Sequence, residues 1–275
     1  MAEIQRRKGR PKAFDDKGAH SVIQSLDRAL VVLDLLARHD GLSLSEIAEE
    51  LDQSPATIYR VLSTLAARSI VESDAATQAW HIGPMAFRLG SAFLRRSSVI
   101  ERSRPVMRKL MEDTRETSNL GIEKDGEVMF ISQVESHEAI RAFFRPGTLS
   151  PLHASGIGKA LMSQFSDARL DAYLAGAPLQ QFTGRTIIAP DALRSDLTRA
   201  RDLGYAVDDE EKTEGMRCIA APVHDLYGET VAGISVSGPA NRLTRERIEE
   251  VGRLVRDAAT SLSEGRDPAR APPRD

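Results

Sequence analysis

The stretch Ser43–Val71, SLSEIAEELDQSPATIYRVLSTLAARSIV, decides the fold of the N-terminal part of the chain. Ser43 can cap a short helix whose buried side is Ile47, Ala48 and Leu51. Asp52-Gln53-Ser54 is a tight connection. Ser54 then caps a second helix, and Pro55 falls at its first position, where a backbone N–H has no partner to lose. Ile58, Val61, Leu62 and Leu65 recur at helical spacing and form its buried stripe. Two short helices joined by about three residues make a helix-turn-helix. Thr57, Tyr59, Arg60, Ser63 and Thr64 lie on the outer side of the second helix. They are small or planar hydrogen-bonding groups that suit base edges and phosphates. Ser54, Thr57, Tyr59, Arg60 and Ser63 are the candidate DNA-contacting residues here.

Working outward, a helix is expected from Ser25, with Leu26, Ala29, Leu30 and Leu33 on its apolar face and Leu36 and Ala37 continuing it; Gly41 ends it. Downstream, Ile70-Val71, the polar loop ESDAATQ and Trp80-His81-Ile82 read as a hairpin, the wing of a winged helix. The DNA-binding domain then spans residues 20–83. A generic three-helix module that binds protein is the plainer alternative. Charge gives a reason for care. From His20 to Ile82 there are four Arg and no Lys against nine Asp and Glu, a net of −5. Such a domain alone should bind DNA poorly, because phosphate neutralisation supplies most non-specific affinity. The segment RRKGRPK (Arg6–Lys12) offers compensation, with five positive charges and no negative one. Residues 1–19 read as a disordered basic arm, and the GRP core resembles an AT-hook entering the minor groove. Arg6, Arg7 and Arg10 are its candidate contacts; a solubilising tail is the bland alternative. Two arms and two recognition helices on a palindrome would complete the compensation.

The whole chain has 275 residues, 41% hydrophobic and 28% charged, with a net charge of −3 and a single cysteine. That length suits two domains. One cysteine excludes an internal disulfide framework and fits a reducing compartment. No apolar run is long enough to span a bilayer, and the basic N-terminus lacks the apolar core of a signal peptide. A cytoplasmic protein with no membrane partner is expected.

Residues 84–98 read as a linker helix whose Leu89, Ala92 and Phe93 form an apolar stripe. A second domain, residues 99–264, opens with a helix. Strands are expected at Asn119–Glu123, Glu127–Val134, Ala139–Phe144, Cys218–Val223 and Thr230–Val236. Helices are expected near Ser155–Gln164, Asp167–Ala175, Asp191–Leu203 and Thr244–Leu262. The domain is therefore α+β, and the Pro-rich tail 265–275 reads as disordered.

The last strand carries Gly233, Ser235 and Ser237 on one face and Ala232, Ile234 and Val236 on the other. If it pairs with the preceding strand, Cys218 can share the serine face. Serine hydroxyls donate hydrogen bonds without adding charge, which suits a carboxylate. PLHASGIGKALMS (Pro151–Ser163) is a loop entering a helix, where Ser155, Gly156 and Ile157 would present free N–H groups. Lys159 lies one turn on and can face away. Asp208, in GYAVDDEE, is an acceptor for a ligand hydroxyl or hydrated carbonyl. An enzyme is the rival class, with Cys218 and His224, or Ser155 and His153, as nucleophile and base. No third orienting group is placed, and Asp208, Glu210, Glu211 and His224 fit no standard metal spacing. Neither catalysis nor a metal or cofactor is expected.

From about Gln24 to Leu262 the chain resembles the IclR-type bacterial transcriptional regulators. LHASGIGKALM is similar to their effector loop. GYAVDDEEKTEGMRCIAAPVHD is similar to their signature through Gly204, Asp208, Glu211, Cys218 and Val223-His224-Asp225, and SVSGPANRLT follows it. The resemblance implies a winged helix, a linker helix and a GAF-like effector domain in a dimer, usually a dimer of dimers, on double-stranded operator DNA. Members that bind glyoxylate or pyruvate hold the acid with effector-loop backbone, an Asp, a Cys and two Ser. Those positions here are Gly156, Ile157, Asp208, Cys218, Ser235 and Ser237. The resemblance thus implies a small 2-oxo acid as effector, glyoxylate first, controlling a carbon-assimilation operon. Pyruvate or an aromatic acid is the alternative. By strand position alone, Leu120, Met129, Ile131, Phe143 and Leu149 would supply apolar walls.

Overall fold

The computed structural model describes residues 22–95 and 98–265. Arg6, Arg7 and Arg10 of the basic arm, and residues 266–275 of the tail, lie outside the described residues. The chain divides into two compact units, Met1–Ala92 and Phe93–Asp275. Among the described residues no helix is long and apolar enough to cross a membrane.

The first unit contains α1 (Gln24–Leu36), α2 (Leu44–Glu50), α3 (Pro55–Ala66), β1 (Val71–Ser73) and β2 (Trp80–Ile82). Ser43 caps α2 in a reciprocal box. Its Oγ accepts from Glu46 N at 3.3 Å, and its own N–H donates to Glu46 Oε2 at 2.7 Å. Ser54 caps α3 by accepting from Thr57 N at 3.2 Å, with Pro55 at the first helical position. Asp52 makes the turn between them at φ 48°. Val32, Leu35 and Leu36 of α1 pack with Ile47, Ala48, Ile58, Leu62 and Val71 into one core. β1 and β2 pair antiparallel, Val71 opposite Ile82 and Ser73 opposite Trp80, to form the wing. The expected face of α1 needs correction. Leu26 and Leu30 are 57% and 53% exposed; Leu36 is buried as expected, but beside Val32 and Leu35, which are not on the expected face. α1 is apolar on more than one side, so helical spacing alone does not choose which stripe meets α3. α4 (Pro84–Arg95) occupies the stretch read as a linker, and the division between units falls inside it.

The second unit runs α5 (Ser98–Thr114), β3 (Thr117–Lys124), β4 (Glu127–Val134), β5 (Leu149–Pro151), α6 (Gly156–Met162), α7 (Asp167–Gly176), α8 (Pro190–Leu203), β6 (Ala206–Asp209), β7 (Met216–His224), β8 (Thr230–Pro239) and α9 (Ile248–Ser263). The six strands form one antiparallel sheet in the order β5-β4-β3-β8-β7-β6. Period-two alternation divides its side chains between two cores. Leu120, Ile219, Ala221, Ile234 and Val236 meet Met107, Leu110, Val251 and Val255 of α5 and α9. Val128, Phe130 and Ala220 meet Ile157, Leu161, Leu193 and Leu197 of α6 and α8 on the opposite face. Both faces are thus covered, and the unit is α+β. Asp125 and Gly126, at φ 53° and 84°, close the β3–β4 hairpin in the left-handed geometry that an Asp-Gly pair favours.

Two elements differ from expectation. Ala139–Phe144 is irregular, not a strand. The outer edge of β4 is taken instead by β5, with Val128 opposite Ser150, so Ala139–Phe144 has no edge to join. Its burial does not alternate: Ala142 is buried, its carbonyl accepting from Thr117 Oγ1 at 3.1 Å, while Ile140 and Phe143 are exposed. β6 is only four residues long and carries no run of β-branched residues that would have flagged it.

α6 approaches the chain so closely that glycine is required. A Cβ on Gly158 would lie 2.1 Å from the Leu152 carbonyl oxygen, a backbone atom that cannot step aside. Gly158→Ala is therefore expected to destabilise the protein by about 1–3 kcal/mol through overpacking, read as a lower urea midpoint at unchanged m-value. An unchanged midpoint would show that α6 can shift freely.

Candidate functional site

Sheet register gathers the polar residues of the second unit into a strip. Asp208 of β6 lies opposite Cys218 of β7, Cys218 opposite Ser237 of β8, and Ser237 opposite Thr117 of β3. One row along, Ala206, Ala220, Ser235 and Asn119 align in the same way. All of these point to the α6 face, as the alternation on β8 requires. The strip is polar in the middle of an apolar sheet, and α6 lies against it. A Cβ on Gly156 would fall 2.6 Å from Cys218 Sγ, so only glycine lets the helix start this close. Ser155 caps α6, its Oγ accepting from Gly158 N at 2.9 Å.

A cavity of about 260 Å³ opens here. Ser155, Gly156, Ile157, Asp208, Cys218 and Ser237 line its polar side, and Phe130, Ala142, Phe143 and Phe144 its apolar side. Five of the six residues expected to hold an effector therefore meet in one cavity. The sixth, Ser235, is fully buried one row deeper, and its Oγ makes no hydrogen bond of ordinary geometry. A buried hydroxyl without a partner is costly, and a ligand or water reaching it would be favoured.

Electrostatics distinguish the two titratable groups. Burial, followed by the charge of nearby Glu211, pushes the Asp208 carboxyl up to about 7. Its Oδ1 accepts from Glu211 N at 2.7 Å and more weakly from Lys212 N at 3.4 Å. Near neutral pH Asp208 can thus donate a proton as well as accept one, beyond the acceptor role read from the sequence. Burial, followed by the Asp208 charge, pushes the Cys218 thiol up to about 11. Cys218 stays a neutral thiol and a poor nucleophile at neutral pH.

The catalytic rival fails on geometry. Cys218 and His224 are both on β7, six residues and about 20 Å apart along the strand. Ser155 Oγ is used on the α6 cap, and His153 Nε2 bonds the Gln180 carbonyl at 2.9 Å. Among the described residues no three His, Cys, Asp or Glu side chains cluster as a metal site.

The apolar walls also need correction. Of Leu120, Met129, Ile131, Phe143 and Leu149, only Phe143 lines the cavity. Leu120 lies opposite Ile234 and packs with Ile131 on the α5–α9 face, and Leu149 is exposed. Both parities of β4 are apolar, so sequence could not tell Phe130 from Met129. Sequence reading also missed Asn119. Its side chain donates to Ser237 Oγ at 3.3 Å and accepts from Gln133 Nε2 at 3.0 Å, which orients the serine. Asn119 is fully buried, but the mixed strand TSNLGIE carried no sequence signal that would have singled it out.

On the first unit Tyr59, Arg60 and Ser63 are exposed on α3, and Thr57 is half-buried. Ser54 is exposed, yet its hydroxyl is engaged with Thr57, accepting from its N–H and pairing with its Oγ1 at 2.8 Å. Thr64 Oγ1 turns back to the Arg60 carbonyl.

The raised Asp208 value has a stability consequence. The folded state holds this proton more tightly than the unfolded chain. The associated stability is complete below about pH 4 and is lost as pH rises through about 7. Asp208→Asn keeps the Oδ1 acceptor and removes the charge. It is expected to stabilise the protein at pH 8 by on the order of 2 kcal/mol and to change little at pH 4. Thermal melts at both pH values read this; equal effects at the two would contradict it.

Comparison with known proteins places the whole chain. A family model for the IclR helix-turn-helix domain matches residues 25–75, and one for the bacterial transcriptional regulator IclR C-terminal domain matches residues 91–264. The HTH-type transcriptional regulator BhcR of Paracoccus denitrificans is 53% identical over 269 residues, covering 96% of this chain and 95% of that protein. The HTH-type transcriptional repressor AllR of Escherichia coli K12 is 39% identical over 267 residues, covering 96% and 97%. The crystal structure of Thermotoga maritima IclR superposes with a TM-score of 0.75 at 29% identity, covering 89% of this chain and 99% of that one. These relatives are regulators of transcription, not enzymes. With a winged helix at one end and a buried polar cavity at the other, this chain belongs to the IclR family of bacterial transcriptional regulators.

Proposed function

We propose that the chain is a cytoplasmic regulator that senses a small 2-oxo acid, glyoxylate first, and so controls its binding to operator DNA upstream of a carbon-assimilation operon. The observation that carries this reading is the composition of the cavity. The Ser237 hydroxyl and the start of α6 at Gly156 and Ile157 lie on its lining with the cationic side chains Arg141, Lys212 and Arg217, beside one carboxyl able to donate or accept, and the Ser235 hydroxyl is buried one row deeper. Such a set matches an oxo acid: donors for the carboxylate, and Asp208 for the carbonyl or its hydrate.

Cavity size supports a second reading. A two-carbon acid occupies roughly two to three waters' volume, about 60–90 Å³ at ~30 Å³ per water. The cavity is about 260 Å³, and Phe130 and Phe144 stack at 4.5 Å along its apolar side. An aromatic acid would use that space, whereas glyoxylate, or pyruvate with one carbon more, would share it with water.

The DNA-binding unit is acidic, and a single copy should hold a duplex weakly. We read the working form as a homodimer, with pairing into a dimer of dimers. Val22 and Ile23 before α1 and Leu26 and Leu30 in its first two turns are exposed, apolar side chains suited to self-association. An acid that prefers one arrangement of the effector domains can alter DNA affinity only by that difference in preference.

Calorimetric titration of glyoxylate, pyruvate and 4-hydroxybenzoate tests the effector class. Ser235→Ala with Ser237→Ala removes two hydrogen bonds to a charged ligand, each worth about 1.5–3 kcal/mol, so glyoxylate affinity is expected to fall at least ~100-fold. Unchanged affinity in the double variant would remove both serines from the site. Arg60→Ala is expected to weaken operator binding by about 1–3 kcal/mol and leave glyoxylate affinity intact. Undiminished operator binding would take Arg60 out of the DNA contact.

A further inference from the structure

We infer that Lys159, on the side of α6 turned away from the cavity, is a positioning residue for the effector pocket, because its ammonium neutralises Glu211 and so holds Asp208 and the Ser155–Ile157 wall in register. This inference rests on reading the cavity as the acid site.

Lys159 is fully buried, which is expensive for an ammonium unless it is paired. Its Nζ donates to Asp196 Oδ2 at 2.8 Å and to Glu211 Oε1 at 2.5 Å. Three segments meet at this atom: α6, α8 and the turn after β6. Asp196 is also met by Arg199, which is exposed. Arg199 thus answers Asp196, and Lys159 is left to answer Glu211.

Glu211 is the link to the pocket. Its backbone N–H is the shorter of the two donors to Asp208 Oδ1. Its carbonyl accepts from Thr186 Oγ1 at 2.6 Å and Thr183 Oγ1 at 3.3 Å. One residue therefore fixes the orientation of Asp208 and carries a buried charge whose partner stands on α6. Lys159 N in turn bonds the Ser155 carbonyl at 2.9 Å, within the helix that begins at the cavity.

A buried ion pair is a poor device for stability, since a well-packed apolar pair would join α6 to α8 at least as well. Its distinctive effect is on geometry. Without Lys159, Glu211 becomes a buried negative charge three residues from Asp208. Two neighbouring carboxylates resist joint ionisation, so one takes a proton or swings out, and Asp208 loses its place. The groups facing Asp208 are Glu211 and Lys212 from the turn, Lys159 from α6 and Cys218 from β7. Removing Glu211's charge therefore lets Asp208 ionise more readily; removing Lys159's has the opposite effect.

The test uses the full chain and a readout that needs no effector. Cys218 is the single cysteine and packs between Gly156 and Asp208, so its alkylation rate by iodoacetamide reports the pocket wall directly. Lys159→Met is expected to alkylate about tenfold faster than wild type, and to bind glyoxylate about tenfold more weakly at pH 8 with recovery toward pH 6. Lys159→Met combined with Glu211→Gln removes both charges and keeps every backbone bond of residue 211. It is expected to return both values to within about threefold of wild type. A single variant that fails to fold beside a double variant that folds shows only a structural ion pair, and the decision then rests on the Glu211→Gln pH profile. Glu211→Gln alone leaves Lys159 on Asp196, and is expected to move the Asp208-dependent fall in melting temperature to lower pH. Wild-type alkylation in folded Lys159→Met, or an unmoved pH profile in Glu211→Gln, overturns the inference. A wild-type protein that binds no glyoxylate but shows the alkylation pattern refutes glyoxylate as the effector and sustains Lys159 as the residue that positions the pocket wall.

Discussion

The contact between the start of α6 and the polar strip of the sheet governs the second unit. Gly156 lies so near Cys218 that a single methyl group would collide with the sulfur. This closeness brings the start of α6 to the cavity beside Cys218, Ser237 and Asp208, while Lys159 bonds Glu211 outside it. The rest follows from the sheet. Antiparallel pairing puts Asp208, Cys218 and Ser237 in one row, and alternation keeps their neighbours Ile219, Ile234 and Val236 in the opposite core.

The arrangement is costly, and the costs are local. An aspartate is buried beside a like charge, a lysine is buried completely, and a buried serine hydroxyl makes no hydrogen bond of ordinary geometry. A sheet built for stability alone would carry apolar side chains at these positions. Departures of this kind concentrate where a molecule binds something else. They also suit a two-state device, because an acid that meets the donors relieves in one arrangement what stays unsatisfied in the other.

Much of this was legible in the sequence, where local chemistry settles the outcome. Ser43, Ser54 and Pro55 announce the helix starts, Asp125-Gly126 the hairpin, and the spacing of Ser235 and Ser237 a shared face. The family resemblance supplied the pocket set; strand pairing then brought Asp208, Cys218 and Ser237 together, and the packing of α6 added Gly156 and Ile157 to the same cavity. What stayed hidden depends on partners distant in sequence. α1 is apolar on two sides, and only packing selects Val32 over Leu26. β4 is apolar in both parities, so Phe130 and Met129 were indistinguishable. Ala139–Phe144 looks like a strand until β5 takes the edge of β4. Lys159 could be placed facing away, but its bonds to residues 37 and 52 positions on could not be read locally.

The central claim is that an acid held in the second unit changes how the first unit holds DNA. The most direct measurement is a gel shift with DNA from upstream of the protein's own gene and the neighbouring operon, at fixed salt, with and without glyoxylate. The account predicts that saturating glyoxylate changes the apparent operator affinity by about 5–150-fold, the usual span of allosteric coupling, with the sign of the change giving the direction of the switch. Operator affinity that is the same with the pocket filled and empty would contradict it.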